Sequence, residues 1–219
     1  VLTILLRSLR KSTSLEELSI KNRELGRASH ELKAFLIHTK SLRKLAVSTS
    51  LPPEEWGRVQ VGLSMNTTLV ELALIDNFLY GDGQAPYNVA PIPKGLHNHP
   101  SLKTLRLEAC RGEVTGIEDL LISDKSKITQ VILSFQGPNY LEPAVRLTSN
   151  TGTLLGLARY TELTRLDMSD CELNRDCMRQ LCNVLRGNPH LQSLGLSRTH
   201  LLNTCLVELA PALYHNVSI

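Results

Sequence analysis

Seven short apolar words recur along the chain: SLEELSI, SLRKLAV, TLVELAL, SLKTLRL, KITQVIL, ELTRLDM and HLQSLGL. Their first apolar residues are Leu15, Leu42, Leu69, Leu102, Ile128, Leu163 and Leu191, at spacings of 27, 27, 33, 26, 35 and 28 residues. A period of this length is the signature of a solenoid, whose units cannot cover their own apolar faces and bury them only against neighbours.

One word shows why. In Leu102-Lys103-Thr104-Leu105-Arg106-Leu107-Glu108-Ala109-Cys110, Leu105 and Leu107 lie two apart, the period of a strand with one buried side. Leu102 enters from the preceding turn, and the same frame gives Leu69, Leu72, Leu74 and Asn77, then Leu163, Leu166, Met168 and Cys171. The residues between words predict helices. ASHELKAFLIHTK sets Leu32, Phe35 and Leu36 on one face with Ser29 at its start, and PPEEWGRVQVGLSMN does so with Trp56, Val59 and Leu63. CELNRDCMRQLCNVLRGNP groups Cys177, Met178, Leu181 and Leu185, capped by Asn174 and ended by Gly187 and Pro189. NTCLVELAPALYHN groups Leu206, Leu209, Ala210 and Leu213, with Pro211 a point of kinking or shortening. A strand takes less room along such a stack than a helix, so parallel strands should line the inside of a curve and helices the outside. A doubly wound sheet would have strands apolar on both faces; here they alternate with Glu, Lys, Thr and Arg, as one open face requires.

Composition narrows the function. Apolar content of 42% excludes global disorder. A formal charge of +3 and 4% aromatic residues disfavour a nucleic-acid binder. Residues 1–50 nevertheless hold ten Lys or Arg against four Glu, which reads as solubilising surface or as a basic, partner-facing end. Cys110, Cys171, Cys177, Cys182 and Cys205 make an odd count with no paired spacing, so a reducing, cytoplasmic setting is expected. Asn66-Thr67-Thr68 and Asn216-Val217-Ser218 match the glycosylation acceptor pattern, and are read as accidents of short motifs. No apolar run reaches the ~20 residues needed to span a bilayer. There is no phosphate-cradling GxxxxGK[ST], no HExxH and no paired CxxC. His97 and His99 are read as surface residues of a turn, and no metal or cofactor is expected.

The word LxxLxLxx(N/C) with a helical remainder near 28 residues resembles the leucine-rich repeat family, in its ribonuclease-inhibitor-like subclass. The likeness runs over about residues 15–215 and is fullest from Leu163 to Leu213. It implies an α/β horseshoe: one domain of about seven repeats across 1–219. The missing initiator Met and abrupt ends suggest a piece of a longer protein. Two departures stand out: Phe135 and Gly137 replace the usual Asn or Cys, and two units are overlong. The extra length forms insertions near 76–93 and 135–149. Members of this family include inhibitors, immune sensors, actin-regulating scaffolds and activators of small GTPases.

Side chains between the strand leucines should form rows on the open face. One is Ser19, Ala46, Ala73, Arg106, Ile132, Asp167 and Gly195; beside it runs Glu17, Lys44, Glu71, Thr104, Gln130, Arg165 and Ser193. A third is Lys21, Ser48, Ile75, Glu108, Ser134, Ser169 and Ser197. Arg106, Glu108, Arg165 and Asp167 lead as contacts to another protein, with Lys44 and Glu71 beside them. Phe78, Tyr80 and Tyr87, in the Gly- and Pro-rich first insertion, are aromatic anchors for a partner or a cover for their own repeat. The expected function is a noncatalytic protein-interaction scaffold. One alternative is a GTPase-activating protein, with Arg111 or Arg198 near an edge; another is a structural segment of a large receptor or cytoskeletal assembly, which apolar solenoid ends would favour.

Overall fold

The computed structural model describes residues 1–21, 25–48, 51–75, 92, 94–108, 117–123, 125–134, 157–169, 171, 173, 175–199, 201 and 203–219. Strands β1 (Glu17–Ile20), β2 (Lys44–Ser48), β3 (Glu71–Ile75), β4 (Thr104–Glu108), β5 (Gln130–Ser134), β6 (Arg165–Asp167) and β7 (Ser193–Gly195) pair in chain order as one parallel sheet. The register is the one the repeated word dictates: Leu18, Leu45, Leu72, Leu105, Val131, Leu166 and Leu194 stand opposite one another. Between strands lie helices α2 (Leu25–His38), α3 (Pro53–Met65), α4 (Ile117–Ile122) and α5 (Arg175–Gly187), and a 3-10 turn at Lys94–Asn98. Helix α1 (Leu2–Leu9) precedes the sheet and α6 (Asn203–His215) follows it.

The core is a set of leucine rows between sheet and helices. Leu42, Leu69, Leu102, Ile128, Leu163 and Leu191 are fully buried, as are Val47, Leu74, Leu107 and Leu133 from the strands and Met168 just after β6. Each such side chain contributes roughly 1.5–3 kcal/mol on leaving water, far more than any exposed ion pair. From the helices come Leu32, Phe35, Leu36, Trp56, Val59, Leu63, Cys177, Met178, Leu181 and Leu185, the faces that the helical spacing predicts. Helices α2 and α3 pack closely because residue 62 is glycine: a Cβ there would sit 2.9 Å from the Lys33 Cα.

The turns entering β1–β4, β6 and β7 carry a second repeated device, at the position three residues before the first leucine; before β5 the exposed Lys125 stands there instead. The buried Asn66 accepts from the amides of Thr68 and Leu69, both at 2.9 Å, and donates to the Leu36 carbonyl at 2.8 Å. Asn188 donates to the carbonyls of Leu157 and Val184, and Asn216 to those of Leu185 and Asn188. Ser12 and Thr39 accept from the amides of Leu15 and Leu42, and the Tyr160 hydroxyl donates to the Ile128 carbonyl. At these turns the leucine drives inward, and the polar side chain meets backbone groups that sheet and helix leave unpaired. Both glycosylation-like triplets belong to this device. Asn66 and Asn216 are 2% and 6% exposed with their amide nitrogens already donating, so neither offers that nitrogen to an enzyme.

Several expectations need correction. His99 is no surface residue: it is 3% exposed, and its Nδ1 accepts from the Leu102 amide at 3.1 Å, in the role of Asn66. Helix α2 starts at Leu25 rather than Ser29, because Leu25 and Ala28 extend its apolar stripe; Ser29 lies inside it and donates to Glu55 of α3. On α6 the inward residues are Cys205, Leu209 and Ala212, while Leu206 is 46% exposed and Ala210 is exposed. The helix runs through Pro211 to His215. Helix α1, of sequence LTILLRSL, packs Leu6 against α2 and brings Arg7 and Arg10 onto Glu31. Donation by Arg7 holds the Glu31 carboxyl below its ordinary range. Asn174 and the insertions lie outside the described residues, apart from the buried Ile92.

Burial holds the His99 imidazole below its ordinary value of 6.5, against the pull of the Asn66 backbone. A depressed histidine supplies stability above its unfolded value, lost as pH falls toward the folded one. Replacing His99→Asn keeps an acceptor at this position and removes the titration. Thermal melts of the variant should therefore vary less with pH than wild type below about pH 6.5; an identical acid limb would refute the assignment.

Candidate functional site

The strand register forms two of the predicted rows in full, and of the third the stretch Ser48, Ile75, Glu108 and Ser134. Ser19, Ala46, Ala73, Arg106, Ile132, Asp167 and Gly195 stand opposite one another, and Glu17, Lys44, Glu71, Thr104, Gln130, Arg165 and Ser193 do likewise. Not every position is open. Ser48, Ala73, Ile75 and Thr104 are buried, so the face between β2 and β4 is less accessible than alternation alone implies.

Among the described residues, two ion-paired groups stand on this face. The Arg106 guanidinium reaches Glu108 on its own strand at 2.6 Å and Glu71 on β3 at 3.3 Å. Its side chain is 40% exposed, and each glutamate 24%. The second group joins Arg165 to Asp167 at 3.4 Å. Asp167 also accepts from the Ser169 hydroxyl at 2.7 Å and the Ser169 amide at 3.1 Å. Burial raises the cost of its charge, but the Ser169 donors and Arg165 outweigh it and hold the carboxyl below its ordinary range. Lys44 stands between Glu17 and Glu71 in register and is exposed.

Half-exposed pairs of this kind contribute about 0–1 kcal/mol each to stability. The face is therefore charged, held in place and easily re-paired by an incoming surface. Phe78, Tyr80, Tyr87 and Arg111 fall outside the described residues. Arg198 is exposed on the turn after β7 with φ 56°, a left-handed backbone rarely taken by a side-chain-bearing residue. Among the described residues no group of three or more His, Cys, Asp or Glu is placed to hold a metal ion, and no helix is long and apolar enough to cross a membrane. Cys171, Cys177, Cys182 and Cys205 are buried.

A continuous parallel sheet backed by helices, in a register set by a repeated leucine word, defines a leucine-rich-repeat type of solenoid. No protein-family model matches the chain. Over 160 residues it is 31% identical to the human NACHT, LRR and PYD domains-containing protein 12; the match takes in 71% of this chain and 14% of that protein. Among solved structures, leiomodin-1 actin-binding site 2 aligns over 96% of this chain and 86% of its own, at 11% identity and TM-score 0.30. The tropomodulin C-terminal domain of Caenorhabditis elegans aligns over 98% and 92%, at 12% identity and TM-score 0.30. Superpositions this loose carry no argument about shape or partners.

Glycine at 195 makes room for the Asp167 carboxylate: an added Cβ would lie 2.3 Å from Oδ1. The Gly195→Ala variant must swing Asp167 away from Ser169, at a cost of about 1–2 kcal/mol. The Asp167 pKa should then move up toward its ordinary 3.8, as read by NMR titration. An unmoved titration would show that the pocket yields elsewhere.

Proposed function

We propose that this chain is a noncatalytic protein-recognition solenoid of the ribonuclease-inhibitor-like subclass, one that receives another protein on the open face of its sheet. The observation that carries the reading is the Glu71–Arg106–Glu108 group: three charges on adjacent strands, held by one another yet partly open to solvent. A preformed face binds with little ordering cost, and Arg165 with Asp167 extends it by two strands. Lys44 widens it toward β2, and Phe78, Tyr80 and Tyr87 supply aromatic anchors from the first insertion. The partner is a protein rather than a nucleic acid, membrane or cofactor. Affinity capture from the native source with Arg106→Glu/Arg165→Glu should lose the partners held by wild type, while the variant stays folded with only a modest drop in melting temperature. Retention of the same partners would remove the sheet face from consideration; a parallel Phe78→Ser/Tyr80→Ser/Tyr87→Ser variant reports on the insertion.

A second reading is favoured by the two helices that flank the sheet. Val1, Ile4 and Leu5 on α1 and its approach are exposed, as are Leu206, Val207 and Tyr214 on α6. In a repeat array such side chains are covered by the next unit. We infer that both outer helices accept further packing, as in one segment of a longer array or assembly. The isolated chain should then self-associate in sedimentation velocity as concentration rises, and Ile4→Lys/Val207→Lys should abolish it. A monomer at every concentration would count against this reading.

A further inference from the structure

We propose that the rim formed by the turns entering β1 and β2 is a separate binding site for an acidic segment of a partner protein. A cavity of about 350 Å³ opens there, and its lining includes Arg10, Lys11, His38, Lys40, Arg43 and Glu16. Among the described residues, four permanent cations thus meet one carboxylate. The turns that carry them are tied together: the Glu16 carbonyl accepts from the amides of Arg43 and Lys44 at 2.7 and 2.9 Å, and the Ser41 hydroxyl donates to the Leu15 carbonyl at 2.8 Å.

The cations differ in what they leave available. Arg10 is engaged by Glu31 from behind, although its buried Nε has no partner among the described residues. Arg43 gives one N–H to the Thr68 carbonyl at 3.2 Å and is otherwise exposed. Lys11 and Lys40 are exposed, and among the described residues no carboxylate pairs with either of them or with Arg43. Uncompensated like charges on adjoining turns repel one another, so an anion lying between them gains from all of them at once.

The basic rim continues beyond the cavity. Lys103 stands two strands from Arg43 at the equivalent position, and the exposed Lys125 and Lys127 lie in the turn entering β5. At about 4.8 Å between strands, the rim from β1 to β5 spans on the order of 20 Å, the reach of about six extended residues. Cations spread along that length suit an extended acidic peptide with one carboxylate side chain seated in the cavity. Nucleic acid fits less well: these turns carry no exposed Phe, Tyr or Trp among the described residues on which a base would stack.

Fluorescence anisotropy with a labelled Glu-rich peptide, its Gln counterpart and a single-stranded RNA of equal length tests the site. The Glu peptide should bind saturably and the Gln peptide should not. Lys11→Glu/Lys40→Glu/Arg43→Glu should weaken binding by at least about tenfold, and so should raising the salt from low to several hundred millimolar. The sheet-face variant Arg106→Glu/Arg165→Glu should bind the peptide as wild type does, which separates this site from the one proposed above. If charge reversal disturbs folding, Lys11→Gln/Lys40→Gln gives the same test, with a smaller but measurable loss expected. No saturable binding of the Glu peptide, undiminished binding by a folded variant, or tighter binding of RNA than of the peptide would overturn the proposal.

Discussion

Each turn in this molecule must do two things at once: bury a leucine and leave no backbone group without a partner. The two demands conflict, because the segment that carries the leucine inward is neither helix nor strand. At Thr39, Asn66, His99, Asn188 and Asn216 a buried polar side chain relieves the conflict by bonding to the adjoining backbone. An unpaired buried amide or carbonyl costs about 1–3 kcal/mol, so losing this device at these five turns would offset much of what the leucine rows contribute. The parallel register, the helix stacking and the open face all follow from turns that can be buried.

With most of the apolar work assigned to one side of the sheet, the charged positions of the other side are released from stability. Its charges are therefore informative about recognition. Arg106 with Glu71 and Glu108, and Arg165 with Asp167, are weak pairs on a rigid frame, a combination that suits exchange with a partner's charges. The rim at the strand starts differs: its lysines are not paired with described carboxylates, and its cavity is polar. Sheet face and rim thus offer two chemistries, one of mixed sign and one basic.

Period and alternation made the strands, their order and the leucine rows legible, because both are local patterns that stacking only repeats. The rows of the open face were legible for the same reason, down to the pairing of Ala73 with Arg106 and of Ile132 with Asp167. Three things were harder to read. His99 resembled a surface turn residue because nothing local separates it from His97; only its place three before Leu102 aligns it with Asn66 and Asn188. The buried face of α6 was shifted because two apolar stripes compete there, and packing against α5 selected Cys205, Leu209 and Ala212. Helix α1 was hidden in a short run whose spacing of Leu2, Leu6 and Leu9 is its one signal.

The amino-acid sequence by itself determined the repeat, the sheet it builds and which side of each strand faces the core, since side-chain alternation and period are properties of the chain alone. Tertiary structure decided which of the outward charges meet: Arg106 finds Glu71 from 35 residues away, and Lys11 comes to share a cavity with Lys40 and Arg43. Proximity across repeats is fixed by register and turn geometry, which place residues remote in sequence within one strand spacing of each other.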